Sequence, residues 1–209
     1  MIFRVADIVR DVRVALDENR TQEQLLSASD METLSLDELI ESKVEEAVAD
    51  VHQGAPAYML ESGHSFGDHV FRHGDGSGHV LLPEDFMRLV SFRMSDWRRR
   101  CVSAVSEDSR EYALQRGVYA GLRGTPERPV CALILRPEGK VLEYYSCRDE
   151  EAAVSDAVYM PWPRVESGGI DISRRCYRAV VYAAAALTAA ALGSESARIL
   201  VEQSKSLLQ

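Results

Sequence analysis

Four of the five histidines lie close together, in His64-Ser65-Phe66-Gly67-Asp68-His69 followed by His73, Asp75 and His79. Imidazoles and carboxylates at this density are ligands for zinc or another divalent cation. A metal-dependent hydrolase working from the His64–His79 loop is therefore one reading of the chain. Two features stand against it. The spacings match no zinc pattern, and a glycine-rich loop lacks the rigid support that a metal site requires. Solvated loop histidines are the better reading. His52 lies apart, at the predicted C-terminus of a helix, where a cation meets the helix dipole favourably.

The strongest basic run is Asp96-Trp97-Arg98-Arg99-Arg100, with Arg93 before it and Cys101 after it. An aromatic beside such a run could stack on bases while the arginines hold phosphates. Trp and Arg are also the residues enriched at interface hot spots. The net charge of -9 argues against a broad grip on nucleic acid. Trp97, Arg98, Arg99 and Arg100 are therefore predicted to form a subunit interface. Arg164, Arg174, Arg175 and Arg178 make a second basic zone, suited to the acidic face of a neighbour. No serine sits in a Gly-x-Ser-x-Gly elbow, and Gly74-Asp75-Gly76-Ser77-Gly78 lacks the Lys-Ser/Thr of a phosphate loop. No catalytic, cofactor-binding or metal-binding residue is assigned, and the chain is not read as an enzyme.

A composition of 46% apolar and 27% charged residues is that of a soluble globular protein. Cys101, Cys131, Cys147 and Cys176 are widely spread and form no Cys-x-x-Cys. They read as small buried apolar residues in a reduced, cytoplasmic folding environment. The longest apolar run, Ala179 to Leu192, is too short to cross a bilayer, and the charged N-terminus holds no signal-peptide core. No membrane association is expected.

The elements that position these residues follow from periodicity. Val5, Ile8, Val9, Val12 and Leu16 share one helical face. Asn19 to Thr33 is polar and reads as a loop. Ser35 and Glu38 form a capping box for a helix whose stripe is Leu36, Leu39, Ile40, Val44, Ala47, Val48 and Val51. Its outer face carries Glu38, Glu41, Glu45 and Glu46. Residues 61–78 are rich in Gly, Ser, His and Asp and predict a mobile loop or hairpin tip. Pro83 pushes Leu82 toward an extended conformation, Asp85 can close the turn, and Phe86 opens a strand. Strands are predicted at about 79–82, 86–95 and 99–105, then Val130 to Leu135, Val141 to Cys147 and Ala152 to Met160. A short helix capped by Ser109 lies between them. Tyr177, Val180, Val181, Ala184, Leu187 and Ala191 recur at helical spacing, Gly193 ends that helix, and Ser194 starts a last one.

The fold expected is α+β and mostly helical, with N-terminal and C-terminal helices bundled around a small central antiparallel β unit. It is read as a single domain, with 1–56 and 172–209 helical and 57–171 a β-rich insertion. In this order, four features resemble the head–tail connector (adaptor) family of tailed bacteriophages. They are the first helix pair, the Leu82-Pro83-Glu84-Asp85-Phe86 turn, the Gly124-Thr125-Pro126-Glu127-Arg128-Pro129 entry into two strands, and Pro161-Trp162-Pro163 before an Ala-rich helix with Tyr182-Ala183-Ala184. The resemblance covers most of the chain. It implies a structural protein that forms a homo-oligomeric ring on a portal protein, extends the DNA channel without sequence-specific binding, and meets a tail or stopper protein. The protein would act in the bacterial cytoplasm during assembly and then in the virion. Leu82, Pro83, Asp85 and Phe86 would be structural. A monomer or small oligomer is expected in isolation, and a ring only on the portal. Leu200 and Leu207, after Gly193, would belong to a docking arm.

Overall fold

The computed structural model describes residues 1–16, 35–60, 63–117, 119–166 and 168–209. The element order is β1 (Ile2–Arg4), α1 (Val5–Ala15), α2 (Leu36–Gly54), β2 (His64–Ser65), β3 (Val70–Arg72), β4 (Gly78–Leu81), β5 (Phe86–Met94), β6 (Val105–Ser106), α3 (Arg110–Gln115), β7 (Cys131–Arg136), β8 (Gly139–Tyr144), β9 (Val154–Pro161), β10 (Val165–Glu166), β11 (Gly169–Asp171), α4 (Tyr177–Ala191) and α5 (Ala197–Ser206). Two compact units result: Met1–Glu61 with Trp162–Gln209, and Ser62–Pro161. Residues 162–171 thus belong with the helices rather than with the inserted strands. The loop expected over Asn19–Thr33 lies outside the described residues.

In the unit of the chain ends, α4 packs against α1, α2 and α5. It can do so because Ala179, Ala184, Ala185 and Ala189 are buried and keep the surface of α4 low. Ile8, Val9 and Val12 of α1 and Ile40, Val44, Ala47, Val48 and Val51 of α2 are buried as their spacing predicts. The capping box forms: Ser35 accepts from the Glu38 amide, and the Glu38 carboxylate accepts from the Ser35 amide at 2.8 Å. Phe3 stacks on Tyr177 at 4.4 Å, and the Tyr177 hydroxyl donates to Asp11 at 2.8 Å.

Of the residues expected in a docking arm, Leu200 is covered within its own unit. Leu200 is buried, Leu207 is half-buried, and the Ser204 hydroxyl donates to the Ala179 carbonyl at 2.8 Å. The α5 helix packs on α4 through the face of Leu200 and Ser204.

Ser62–Pro161 holds two sheets. One has the order β2-β9-β5, the other β3-β4-β8-β7-β6. Their facing sides share one core that includes Val80, Phe86, Phe92, Met94, Cys131, Leu142, Tyr144 and Tyr159. β7 and β8 alternate, with Cys131, Leu133, Leu142 and Tyr144 in this core, whereas register shifts in the β5–β9 pair space their core residues by three as well as two. The Leu82–Phe86 turn sits at the entry to β5. The Phe86 amide donates to the Pro83 carbonyl at 3.1 Å, while the Asp85 carboxylate accepts from the Tyr159 hydroxyl at 2.7 Å. Phe86 stacks on Tyr159 at 5.6 Å and meets the edge of Phe66 at 6.3 Å. Ser109 caps α3 by accepting from the Tyr112 amide.

The expectation of a mostly helical fold with one small antiparallel β unit is corrected. Among the described residues there are three sheets: one of three strands in the helical unit, and two, of three and five strands, in Ser62–Pro161. β1 pairs with β11 inside the helical unit, and β6 pairs with β7 in parallel. The extra strands are two or three residues long, too short to show alternation, and tertiary pairing selects them. Residues 61–78 are likewise no simple loop: His64 and Ser65 pair with β9, and Val70–Arg72 pairs with β4. The strand expected at 99–105 reduces to an antiparallel bridge from Cys101 to Phe92 and the two residues of β6.

Two outcomes follow from this packing. Phe86→Ala should cost about 3–5 kcal/mol, the range for large-to-small changes in a core; an unchanged urea midpoint would contradict the placement. Truncation after Gly193 removes α5 and exposes the α4 surface it covers. The truncated chain should lose the cooperative melt of the helical unit, read by far-ultraviolet circular dichroism.

Candidate functional site

The histidines of the 64–79 segment are spread over different elements. His64 lies on β2 with its ring edge-on to Tyr159 at 5.7 Å. His69 is exposed in the connection to β3. His73 and His79 flank the hairpin that joins β3 to β4, and their rings approach to 3.2 Å between Nε2 and Nδ1. Among the described residues, no group of three or more His, Cys, Asp or Glu side chains is placed to hold a metal ion. The hairpin turn has its own logic. Asp75 accepts from the Ser77 amide at 3.0 Å and from its hydroxyl at 2.5 Å, an Asx-type closure. Gly76 has φ of +81°, and a side chain at Gly78 would run into the Phe71 carbonyl and the Tyr144 hydroxyl. These glycines serve the turn and the close approach of strands.

His79 is not a solvated loop residue, which corrects the reading of this cluster. It is only 8% exposed and stacks on Phe71 at 4.8 Å. On the adjoining strand it pairs in register with Glu143. Glu143 is buried, on the sheet face that also carries the apolar cluster of Tyr112, Ala132, Ile134 and Val141. It accepts from Arg136 Nε at 2.9 Å and from the Tyr145 hydroxyl. Tyr145 packs edge-on to Tyr112 of α3 at 6.3 Å. The hydrogen bond that Arg136 donates to the Glu143 carboxylate raises the Arg136 pKa. Burial, then the bond to Glu143, holds the Tyr145 hydroxyl well above the ordinary phenol range. His79 is pushed down, first by burial and then by the Arg136 cation and His73, with Glu143 and Glu138 opposing. A buried network with its members bonded to one another locks sheet geometry. Glu143 was the residue sequence reasoning passed over. The signal was present, since Val141, Glu143 and Tyr145 alternate on one face.

The basic run is divided by the fold. Trp97 is 1% exposed and packs edge-on to Phe92 at 5.7 Å and Tyr144 at 6.3 Å. Its assignment to a subunit interface is therefore corrected: the indole is a core residue. The backbone around it is pinned. Trp97 N–H donates to the Met94 carbonyl at 3.1 Å, Arg98 N–H to the Pro126 carbonyl at 2.9 Å, and Arg93 Nε to the Trp97 carbonyl at 3.0 Å. Asp96 accepts from the amides of Arg148 and Asp149. With the indole inward, Arg98, Arg99 and Arg100 are exposed, and with Arg93, Ser95, Ser155 and Asp156 they line one open cleft. Arg98 has Glu127 at 3.9 Å. Among the described residues, Arg99 and Arg100 have no carboxylate within salt-bridge distance.

The remaining assigned positions, Leu82, Pro83, Asp85 and Phe86, act as a structural turn. No helix among the described residues is long and apolar enough to cross a membrane. No family model matches the chain, and no curated protein matches it.

The depressed pKa of His79 has a pH signature. Below the ordinary histidine value of about 6.5 the unfolded chain binds a proton that the folded sheet unit resists. Stability from this site is full above that value and falls as pH drops toward the folded-state pKa. Denaturation followed by Trp97 fluorescence, in a Trp162→Phe background, should show lower stability at pH about 5.5 than at about 7.5. His79→Gln should flatten that difference. An identical pH slope in the two proteins would exclude His79 as its source.

Proposed function

We propose that the protein is a structural assembly subunit, a head–tail connector of a tailed phage or prophage. In this role it docks on a portal, extends the DNA channel and offers a platform to a tail or stopper protein. One observation carries the reading: both chain ends build a single helical unit, and the segment between them, Ser62–Pro161, is a separate sheet unit inserted into it. That order agrees with the four-part resemblance, and it gives one body to pack beside neighbours and another to present to a partner. The Pro83 turn and Phe86, which carry part of the resemblance, lie at the entry to the longest strand, as a structural motif would.

The site chemistry supports the same reading. Glu143, Arg136 and Tyr145 of the sheet unit are bonded to one another, and its cationic cleft is open, suited to a surface rather than a small substrate. The reading sets the protein in the bacterial cytoplasm during assembly and then in the virion. The test is direct. Portal-bearing, DNA-filled capsids incubated with the purified chain should retain it through sedimentation, and particle reconstruction should show a ring beneath the portal. Capsids that sediment without the chain would overturn the proposal.

A further inference from the structure

We infer that the arginine cleft of the sheet unit is the receptor for the acidic outer face of α2 on a second copy of this chain, a head-to-tail contact within the proposed ring. The inference rests on the assembly reading for its setting, but the contact itself is argued from charge. The cleft gathers four guanidinium groups, Arg93, Arg98, Arg99 and Arg100, on a chain of net charge -9. Asp156 within it and Glu127 beside Arg98 leave an excess of positive charge. Arg99 and Arg100, without carboxylate partners among the described residues, are the groups left to bind.

The complementary surface is on α2. Glu41, Glu45 and Glu46 are exposed, outside the buried stripe Ile40, Val44, Ala47, Val48 and Val51. Glu46 meets Lys43 at 3.4 Å, and Glu38 is engaged in the capping box. Glu41 and Glu45, one helical turn apart, have no cation within salt-bridge distance among the described residues. A guanidinium binds a carboxylate through paired, directional hydrogen bonds, so arginines suit such a helix better than lysines would. The donor and receptor surfaces differ, so the contact is heterologous and repeats from copy to copy until a rotation closes it.

Nucleic acid is the competing partner for the cleft. Two observations disfavour it. The only aromatic of the run, Trp97, is buried and cannot stack on a base, and two carboxylates flank the guanidinium groups where phosphates would have to approach.

Charge reversal tests the inference with intact chains. One variant carries Arg98→Glu, Arg99→Glu and Arg100→Glu; the other carries Glu41→Lys, Glu45→Lys and Glu46→Lys. All six positions are exposed, and circular dichroism of each variant verifies the fold. Sedimentation at high protein concentration should show salt-sensitive association of the wild type, because exposed charges are screened over about 8 Å at physiological ionic strength. Each variant alone should associate at least about tenfold more weakly, since like charges are brought together. An equimolar mixture of the two should recover association, because each chain then meets a surface of opposite sign on the other. Recovery in the mixture also proves that the contact lies between chains. A wild type that stays monomeric at every concentration and ionic strength, variants that associate like the wild type, or a mixture that does not recover would each overturn the inference. So would duplex DNA binding lost in the first variant and unchanged in the second. Rings on capsids that tolerate both variants would leave the connector reading standing without this contact. Recovery in the mixture without capsid binding would leave the contact standing without the connector.

Discussion

Burial of the Trp97 indole between Phe92 and Tyr144 is the contact on which the surface of the sheet unit depends. The ring comes from the loop after β5, Phe92 from β5 itself and Tyr144 from β8, so one side chain ties a loop to both sheets. Aromatic pairs in this edge-on geometry contribute beyond the area they bury. The consequence is local and chemical. Once the indole points inward, the next three residues are turned out, and the carbonyl of Trp97 is free to hold Arg93. A core contact thereby decides where four positive charges meet the solvent.

The same economy governs the opposite face of the five-stranded sheet. A buried carboxylate is costly unless it is paired and hydrogen-bonded. Glu143 meets that condition through Arg136 and Tyr145, and His79 beside it stays neutral more readily than a free imidazole. The acidity of the chain is therefore of two kinds. Glu143 is enclosed and serves geometry, whereas the glutamates on the outer side of α2 are exposed and serve solubility or recognition. Net charge counts both equally, which is why the -9 total says little about where a partner binds.

Much of the helical unit was legible in the sequence. The stripes on α1 and α2, the Ser35–Glu38 capping box and the stop at Gly193 each rest on local rules, and local rules act wherever the pattern is long enough to show. The sheets were legible only in part. β5, β7, β8 and β9 are six to nine residues long and declared themselves by apolar content. β1, β2, β3, β10 and β11 have two or three residues each and exist only because a partner strand completes them. The site was read least well, for a related reason. Trp97 carries the composition of an interface residue, but burial is set by what the rest of the fold brings against it. His79 looked like its neighbours in a polar loop until the pairing with β8 enclosed it.

The chain-end unit shows how a long insertion can be tolerated. Helices α1 and α2 precede the sheet unit and α4 and α5 follow it, yet α4 packs against all three of the others. Loop-closure entropy rises only slowly with the length of the segment between contacting helices, so a folded insertion adds little to the cost of bringing α4 back to α2. What the contact requires is close approach, and the alanines of α4 supply it: they leave room for the branched residues of α1 and α2 on one side and Leu200 on the other. Each unit thus meets its own packing requirement with its own residues. That freedom lets the surface of the sheet unit change charge, and the outer side of α2 change with it, without altering either core.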